Sequence, residues 1–141
     1  MMTVFAQQAL ADCYAGACYT AVAIDKDTGK TMVKYNLSAN EAKNERTRFC
    51  NTRKNCISHS GHEACIAVAY SPLYKHAAIA GYGALAGRGR AEKEAVKECN
   101  QSIPIELIKA GAQGDNRKSK LYPSDNGKCK LVGAACSDWQ Y

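Results

Sequence analysis

The sequence has few of the large side chains that usually fill a protein core. Among its 141 residues there are 2 Phe and 1 Trp, and much of the 46% apolar fraction is alanine. Alanine buries little area, and burial contributes roughly 25 cal/mol per Å² of apolar surface, so the hydrophobic driving force per residue is modest. Other interactions must therefore help to stabilise the fold.

Long apolar runs are also missing from the sequence. No stretch approaches the ~20 apolar residues that cross a bilayer as a helix, so no membrane span is predicted. Residues 1–12 end with Ala9 and Ala11 before Asp12, as at a signal-peptide cleavage site, but they have no charged start. We expect residues 1–12 to be a remnant signal peptide or a disordered leader, and residues 13–141 to form a single domain.

Cysteine, in contrast, is frequent, with 8 in the chain. An even number at this density is rare in the reducing cytosol and common in exported proteins, where each disulfide typically contributes about 2–4 kcal/mol. We therefore expect an oxidised protein that is located in the periplasm or outside the cell.

The chain also repeats itself. Residues 18–24, CYTAVAI, return at 65–70 as CIAVAY, and each copy continues into an alanine-started segment that ends on a cysteine. The predicted fold is α+β, with duplicated strand-strand-helix-strand units in one disulfide-stabilised domain. Repeat one is placed at 18–64 and repeat two at 65–136. The two units are expected to share a sheet or to pack around a pseudo-twofold axis.

Local signals define the elements of repeat one. Residues 25–29 have the composition of a hairpin turn between two strands. Ser38 followed by Glu41 is the pattern of a capping box, which predicts a helix over about 39–49. Residues 56–65 are expected to close the unit as a strand or an extended loop.

The repeats differ in the connection between the helix and the last strand. Cys50 and Cys56 lie close together in the sequence, whereas Cys99 and Cys129 are separated by an insertion at residues 100–128. Loops of this length in compact domains are usually functional or disordered. We therefore expect the insertion to contribute to function.

The duplication also restricts the disulfide pairing. Eight cysteines allow about a hundred pairings, and the sequence alone cannot choose among them. Bridges Cys50–Cys56 and Cys99–Cys129 would tie each helix end to the following strand in the same way. The other cysteines lie at unit boundaries, and for them we predict the bridges Cys65–Cys136 and Cys13–Cys18.

These motifs are similar to those of a known family. The matching segments are AVAYS at 67–71, GYG at 81–83, the segment from Ala91 to Cys99, and CKLV at 129–132. The chain resembles the bacterial exported domain-of-unknown-function family 4189 over roughly residues 18–136. The resemblance implies secretion and no assigned catalytic residues. The first helix departs from the family pattern, with Arg46-Thr47 in place of an Ala-Leu pair.

One cluster of possible metal ligands contains His59 and His62. With Cys50 and Cys56 the two histidines could supply four ligands for zinc. The same cysteines fit the repeated disulfide scheme, however, and on a strand His59 and His62 would point to opposite faces. We therefore predict no metal site and no cofactor, and name His59 and His62 as the candidates to examine.

Patterns for covalent catalysis are weak. A Cys–His nucleophile needs an unpaired thiol with a low pKa, and an even number of oxidised cysteines leaves none. The sequence has no G-x-S-x-G elbow to present a serine. We predict that the protein is not an enzyme, and keep a small envelope hydrolase, possibly dependent on zinc, as an alternative.

The formal charge of +6 favours acidic partners. No nucleic-acid-binding module accompanies the basic residues, which argues against nucleic acid.

We predict an inhibitor or immunity-type protein that neutralises an acidic protein, such as a toxin, an enzyme or a host factor. A secreted effector that acts on a host component is the alternative. The predicted contact residues are Arg88, Arg90, Arg117, Lys118, Lys120 and Tyr122.

Overall fold

The computed structural model describes residues 18–104, 106–108 and 127–137. Within these ranges the strands and helices follow one another in the order β1 (Tyr19–Asp25), β2 (Thr31–Leu37), α1 (Ala39–Cys50), β3 (Cys56–His62), β4 (Ala64–Ser71), β5 (His76–Gly83), α2 (Arg88–Ser102) and β6 (Lys130–Cys136). A 3-10 turn, Ala84–Ala86, precedes α2. The predicted leader, residues 1–12, lies outside the described residues.

The strands form two antiparallel sheets of the same topology. One sheet has the order β2-β1-β3 and the other β5-β4-β6, so the first strand of each repeat is central. We call β1, β2, α1 and β3 half one, and β4, β5, α2 and β6 half two. The α+β fold with duplicated strand-strand-helix-strand units is confirmed. The sequence left open whether the repeats share a sheet, and here each half forms its own.

The two sheets pack face to face through the larger side chains of their central strands. Val22 and Ile24 of β1 lie in one buried cluster with Ile66, Val68 and Tyr70 of β4. Because successive side chains of a strand point to opposite faces, the neighbouring residues of these strands face away from the other sheet. The sheet–sheet contact thus forms the centre of the molecule.

The outer faces of the central strands are lined by alanine and are covered by the helices. In half two, Ala67 and Ala69 of β4 form a buried cluster with Ala91, Ala95 and Cys99 of α2. Side chains this small allow the helix to approach the sheet closely. The layers therefore follow the order helix, sheet, sheet, helix.

The start of α1 agrees with the predicted capping box. The Ser38 Oγ accepts a hydrogen bond from the Glu41 backbone N–H at 3.1 Å, and Glu41 Oε1 accepts from the Ser38 N–H at 2.8 Å. This exchange pairs two amide groups that the first turn of a helix leaves without partners. Helix α1 buries Ala42 against the sheet.

Residues 56–65 form parts of two strands and not the single strand or loop that the sequence predicts. Strand β3 ends at His62 and β4 begins at Ala64. Glu63 between them has a φ of 47°, a left-handed conformation that reverses the chain, and its N–H donates to the Cys18 carbonyl at 2.7 Å. This single-residue reversal joins the two halves.

Three of the predicted disulfides are confirmed: Cys50–Cys56, Cys65–Cys136 and Cys99–Cys129. Cys18 is also disulfide-bonded, and its predicted partner Cys13 lies outside the described residues. Disulfides of this number are typical of proteins from oxidising compartments.

The strand register corrects one equivalence that the sequence suggests. Cys65 of β4 lies opposite Cys136, but the corresponding cross-strand pair in half one is Tyr19 and His62, with Cys18 one position earlier. The Tyr19 and His62 rings are 5.1 Å apart between centroids. An aromatic pair thus occupies the position that a disulfide occupies in half two.

The beginning of the insertion packs against the core of half two. Ile103 and Ile108 are buried in the same cluster as Ala95 and Cys99. Among the described residues half one has no equivalent cover, since only five residues separate Cys50 from Cys56. Residues 109–126 of the insertion lie outside the described residues.

Candidate functional site

Half two carries an exposed projection at residues 82–90, which we call the Leu85 tip. The Leu85 side chain is fully exposed, with a relative accessibility of 105%. The guanidinium carbon of Arg90 lies 4.8 Å from the centroid of the Tyr82 ring. Arg88 Nε forms an ion pair with Glu92 Oε2 at 3.2 Å. The tip therefore combines an apolar side chain, a stacked arginine and a second arginine on one short segment.

Glycine makes this projection possible. Gly87, which lies between the 3-10 turn and α2, has a φ of 93°, a conformation that side-chain-bearing residues rarely adopt. A Cβ added at Gly83, Gly87 or Gly89 would meet no atom within 4 Å, so the surrounding space is open. The chain can therefore turn sharply into α2 while Leu85 extends into solvent.

Two of the six predicted contact residues, Arg88 and Arg90, lie on the Leu85 tip. The other four, Arg117, Lys118, Lys120 and Tyr122, lie outside the described residues. Sequence reasoning did not single out Leu85. The sequence signal for its exposure was its position between glycines. An isolated leucine in such a segment lies on no helix or strand face through which it could pack against the core.

His59 and His62 lie on opposite faces of β3, as the two-residue period of a strand predicts. His62 contacts Tyr19, whereas the His59 ring lies 3.6 Å from the position of a Cβ built on Gly81 in the other sheet. Cys50 and Cys56 are joined to each other, so neither presents a thiolate. In the described ranges no three His, Cys, Asp or Glu side chains are grouped so that they could hold a metal ion.

A serine and a histidine that are 26 positions apart meet at the edge of half two. His76 Nε2 lies 2.7 Å from Ser102 Oγ, and Ser102 Oγ donates to the Glu98 carbonyl, also at 2.7 Å. The contacts are all satisfied when Ser102 Oγ donates to the carbonyl and His76 Nε2 donates to Ser102 Oγ. Burial lowers the pKa of His76, and the charge of Lys26 lowers it further. The pair connects β5 to the end of α2.

Half one carries a different kind of polar contact at the end of β1. Arg53 Nη1 pairs with Asp25 Oδ2 at 3.0 Å, and Arg53 Nε donates to the Phe49 carbonyl at 2.8 Å. Burial raises the pKa of Asp25, but the hydrogen bonds from Arg53 and from the Asp27 backbone N–H outweigh this effect and hold the pKa below its usual range. The pair fastens the segment between α1 and β3 to the sheet.

An open depression of about 320 Å³ lies between the C-terminal half of α1 and β3. We call it the Arg46 groove, and its lining residues are Arg46, Thr47, Cys50, Asn51 and Ser58. Arg46 Nε is buried and has no hydrogen-bond partner among the described residues. A buried donor without a partner costs about 1–3 kcal/mol, so Arg46 is not held in this position by hydrogen bonds of its Nε within the described core.

The charge of Arg46 is not balanced from within the groove, since none of the lining residues is acidic. The preceding residue, Glu45, pairs with Lys34 at 3.0 Å and with Arg48 at 3.1 Å. The hydrogen bond from Lys34 is the main reason that the pKa of Glu45 lies below its usual range. The Arg46-Thr47 departure from the family pattern was the sequence signal for this groove.

No helix in the part of the chain that the structure describes is long and apolar enough to cross a bilayer.

Comparison with known proteins places the chain in a family. Neither the curated proteins nor the solved structures gave a match. A family model described as "Domain of unknown function (DUF4189)" matches residues 19–136, which span both halves from β1 to the end of β6. The chain therefore belongs to the DUF4189 family.

Proposed function

We propose that the protein is an exported, non-catalytic binding protein that inhibits or neutralises another protein in the periplasm or outside the cell. The observation that carries this proposal is the Leu85 tip. A fully exposed leucine beside two arginines has no role in the packing of the described core. Arginine and aromatic residues are the usual energetic anchors of protein interfaces.

The chemistry of the tip indicates an acidic partner with an apolar pocket. Leu85 would enter the pocket, while Arg88 and Arg90 would meet carboxylates at its rim. Stacking on Tyr82 holds the Arg90 side chain in place, which reduces the entropy that binding must remove. The overall charge of +6 would speed the approach of an acidic protein.

The scaffold is suited to such a role. The Cys65–Cys136 disulfide connects β4 to β6, and the Cys99–Cys129 disulfide connects α2 to the residue before β6. The elements beside the tip are therefore cross-linked. An interface that is rigid before binding loses less freedom on association. The other predicted contact residues, Arg117, Lys118, Lys120 and Tyr122, lie outside the described residues and stay part of the proposal on their charge alone.

The experiment is a capture assay with matched variants. The protein is immobilised and exposed to the native envelope fraction and to the culture medium. We expect an acidic protein to be retained by the wild type, and to be lost when Leu85, Arg88 and Arg90 are changed to alanine. The control changes Lys93 and Lys97, exposed residues of the same helix, to alanine and retains the partner.

Salt provides a second readout of the same surface. Association with an acidic partner should slow as ionic strength rises, and changing Arg88 and Arg90 alone to alanine should weaken this dependence. Equal capture by the wild type and the tip variant would contradict the assignment of the surface. Capture from the medium of a host component, in place of an envelope protein, would favour the effector alternative.

A further inference from the structure

The Arg46 groove differs from its counterpart in half two in a way that packing does not explain. Ala42 and Cys50 of α1 correspond to Ala91 and Cys99 of α2, so Arg46 stands where half two has Ala95. Ala95 is fully buried against its sheet. The same helix–sheet layer therefore forms with an alanine, and the fold does not require an arginine at this position.

The other lining positions change in the same direction. Thr47 replaces Val96, which packs against the core of half two. Ser58, which pairs with Ala23 of β1, replaces Leu131, which pairs with Ala69 of β4. Three apolar or small residues of half two have thus become groups that can form hydrogen bonds. Together the three differences make the depression beside α1 polar, whereas the equivalent positions of half two are apolar.

The C-terminal end of the helix is also covered by fewer described residues in half one than in half two. Ile103 and Ile108 of the insertion are buried over the end of α2. Half one has only the short Cys50–Cys56 connection, which holds the two sides of the groove at a fixed separation. Its volume of about 320 Å³ is at the lower end of the range of roughly 300–1,000 Å³ that is usual for small-molecule sites.

The donor set of the groove selects the kind of ligand. The two outer Nη–H groups of an arginine are parallel and coplanar, and they match the two oxygens of a carboxylate. The groove lies at the C-terminal half of α1, where the helix dipole is negative and disfavours a dianion such as phosphate more than a singly charged carboxylate. A single arginine without a second cation in the lining suits a single negative charge.

We infer that the Arg46 groove binds a small, hydroxylated carboxylic acid of the sugar-acid type. Arg46 holds the carboxylate through its two Nη groups. Thr47, Asn51 and Ser58 supply hydroxyl and amide groups for the hydroxyls of the ligand. This site lies in half one and does not depend on the protein-binding role proposed for the Leu85 tip.

The inference is tested by titrating the full chain with D-glucuronate and following backbone amide signals by NMR. We expect saturable shifts at Thr47, Asn51 and Ser58, with a Kd of about 1 mM or below. D-Glucose, which lacks the carboxylate, should give no saturable shift, and inorganic phosphate should bind more weakly than glucuronate. No saturable shift with glucuronate at about 10 mM, or equal shifts with glucose or phosphate, would overturn the inference.

Variants locate the effect at Arg46. Arg46→Met should weaken glucuronate binding by about tenfold or more, because a charge-assisted pair of hydrogen bonds is lost. Lys43→Met removes the same charge from an exposed position of the same helix and should leave binding unchanged. Unchanged binding in a folded Arg46→Met variant would refute the site.

Milder variants keep the test decisive if Arg46→Met does not fold. Arg46→Lys keeps the charge but loses the planar fork, so binding should weaken several-fold. Ser58→Ala removes one hydroxyl from the groove, and a smaller loss is expected. If both variants fold and bind glucuronate as tightly as the wild type, the inference is wrong.

Discussion

Half one and half two have the same order of elements, but they differ at equivalent positions in how they are held together. Half two closes its sheet with the Cys65–Cys136 disulfide, and the insertion covers the end of its helix. Half one has the Tyr19–His62 ring pair and an open groove at the corresponding places. Half two thus joins its central strand to its last strand by a covalent bond, whereas half one exposes polar groups beside its helix.

Residues that both halves share are those that the fold requires, and residues that occur in one half only are those that it tolerates. Alanines on the outer faces of β1 and β4 are buried in both halves, so the helix–sheet layer requires small residues there. Cysteines that join the end of each helix to the next strand also occur in both halves. Arg46 and the Leu85 tip each occur in one half only, and these are the features to which we assign binding.

The largest expected effect comes from the disulfide that only half two has. Cys65→Ala with Cys136→Ala removes a bridge of sequence separation 71, and should lower the free energy of unfolding by about 4 kcal/mol. Cys50→Ala with Cys56→Ala removes one of separation 6, and about 2 kcal/mol is expected. Urea denaturation of both variants measures the difference. Equal losses would contradict the view that the cross-strand bridge of half two stabilises the fold more than the helix-end bridge of half one.

The second prediction exchanges residues between the halves. Ala95→Arg places a charge without a partner in a fully buried position, and should lower the free energy of unfolding by about 3 kcal/mol. Arg46→Ala should change it by less than about 1 kcal/mol, since the removal of an unpaired buried donor offsets the packing that the side chain loses. Both variants are compared with the wild type by urea denaturation.

Ala95→Met serves as the control, because it adds length without charge and so separates crowding from desolvation. If Arg46→Ala were as destabilising as Ala95→Arg, the arginine would be part of the core of half one. The proposed difference between the two halves at this position would then be wrong.

A smaller effect is expected from the Tyr19–His62 pair. Cross-strand pairs contribute roughly 0.2–1 kcal/mol relative to alanine, so a double-mutant cycle of Tyr19→Ala and His62→Ala should give a coupling of about 0.5 kcal/mol. This coupling is well below the contribution of the disulfide at the equivalent position. A coupling of several kcal/mol would show that the two cross-strand pairs stabilise their halves equally.

The smallest expected effects are those of pH, and the halves should respond in different windows. The pKa of His76 in half two is lowered in the folded state, so the unfolded chain binds the proton more readily. This contribution to stability is complete above about pH 6.5 and is lost as the pH falls through the folded pKa. His76→Gln should flatten the dependence in that window.

Asp25 in half one acts in a more acidic window. Its pKa is lowered by the Arg53 contact, so the stabilisation is present above about pH 4 and is lost as the pH falls through the folded pKa. Asp25→Asn should remove that part of the pH dependence and leave the His76 window intact. Chemical denaturation at a series of pH values measures both windows, and a single shared window would contradict the assignment.

Much of the fold could be predicted because its signals are local or repeated. The Ser38–Glu41 capping box is a local signal, and the equivalent cysteines at the helix ends restricted the pairing. The strand register could not be predicted in the same way. Aligning Cys18 with Cys65 places the repeats one residue out of register, and only the cross-strand pairing reveals Tyr19 opposite His62.

The candidate sites were less predictable than the fold. Arg88 and Arg90 were found from charge alone, but the exposure of Leu85 depends on how the chain turns at Gly87. The contact of His76 with Ser102 joins residues from a strand and a helix end, and no spacing in the sequence signals it. The Arg46 groove depends on which helix face meets the sheet and on what covers it, which are properties of tertiary packing.

The central claim is that Arg46 serves binding and is not needed by the fold, and one thermal denaturation experiment tests both parts. Wild type and Arg46→Ala are melted with and without D-glucuronate, since a ligand that binds the folded state raises the midpoint. We predict that Arg46→Ala melts within a few degrees of the wild type without ligand, and that glucuronate raises the midpoint of the wild type alone. A midpoint for Arg46→Ala that is far lower without ligand, or an equal rise in both proteins, would contradict the account.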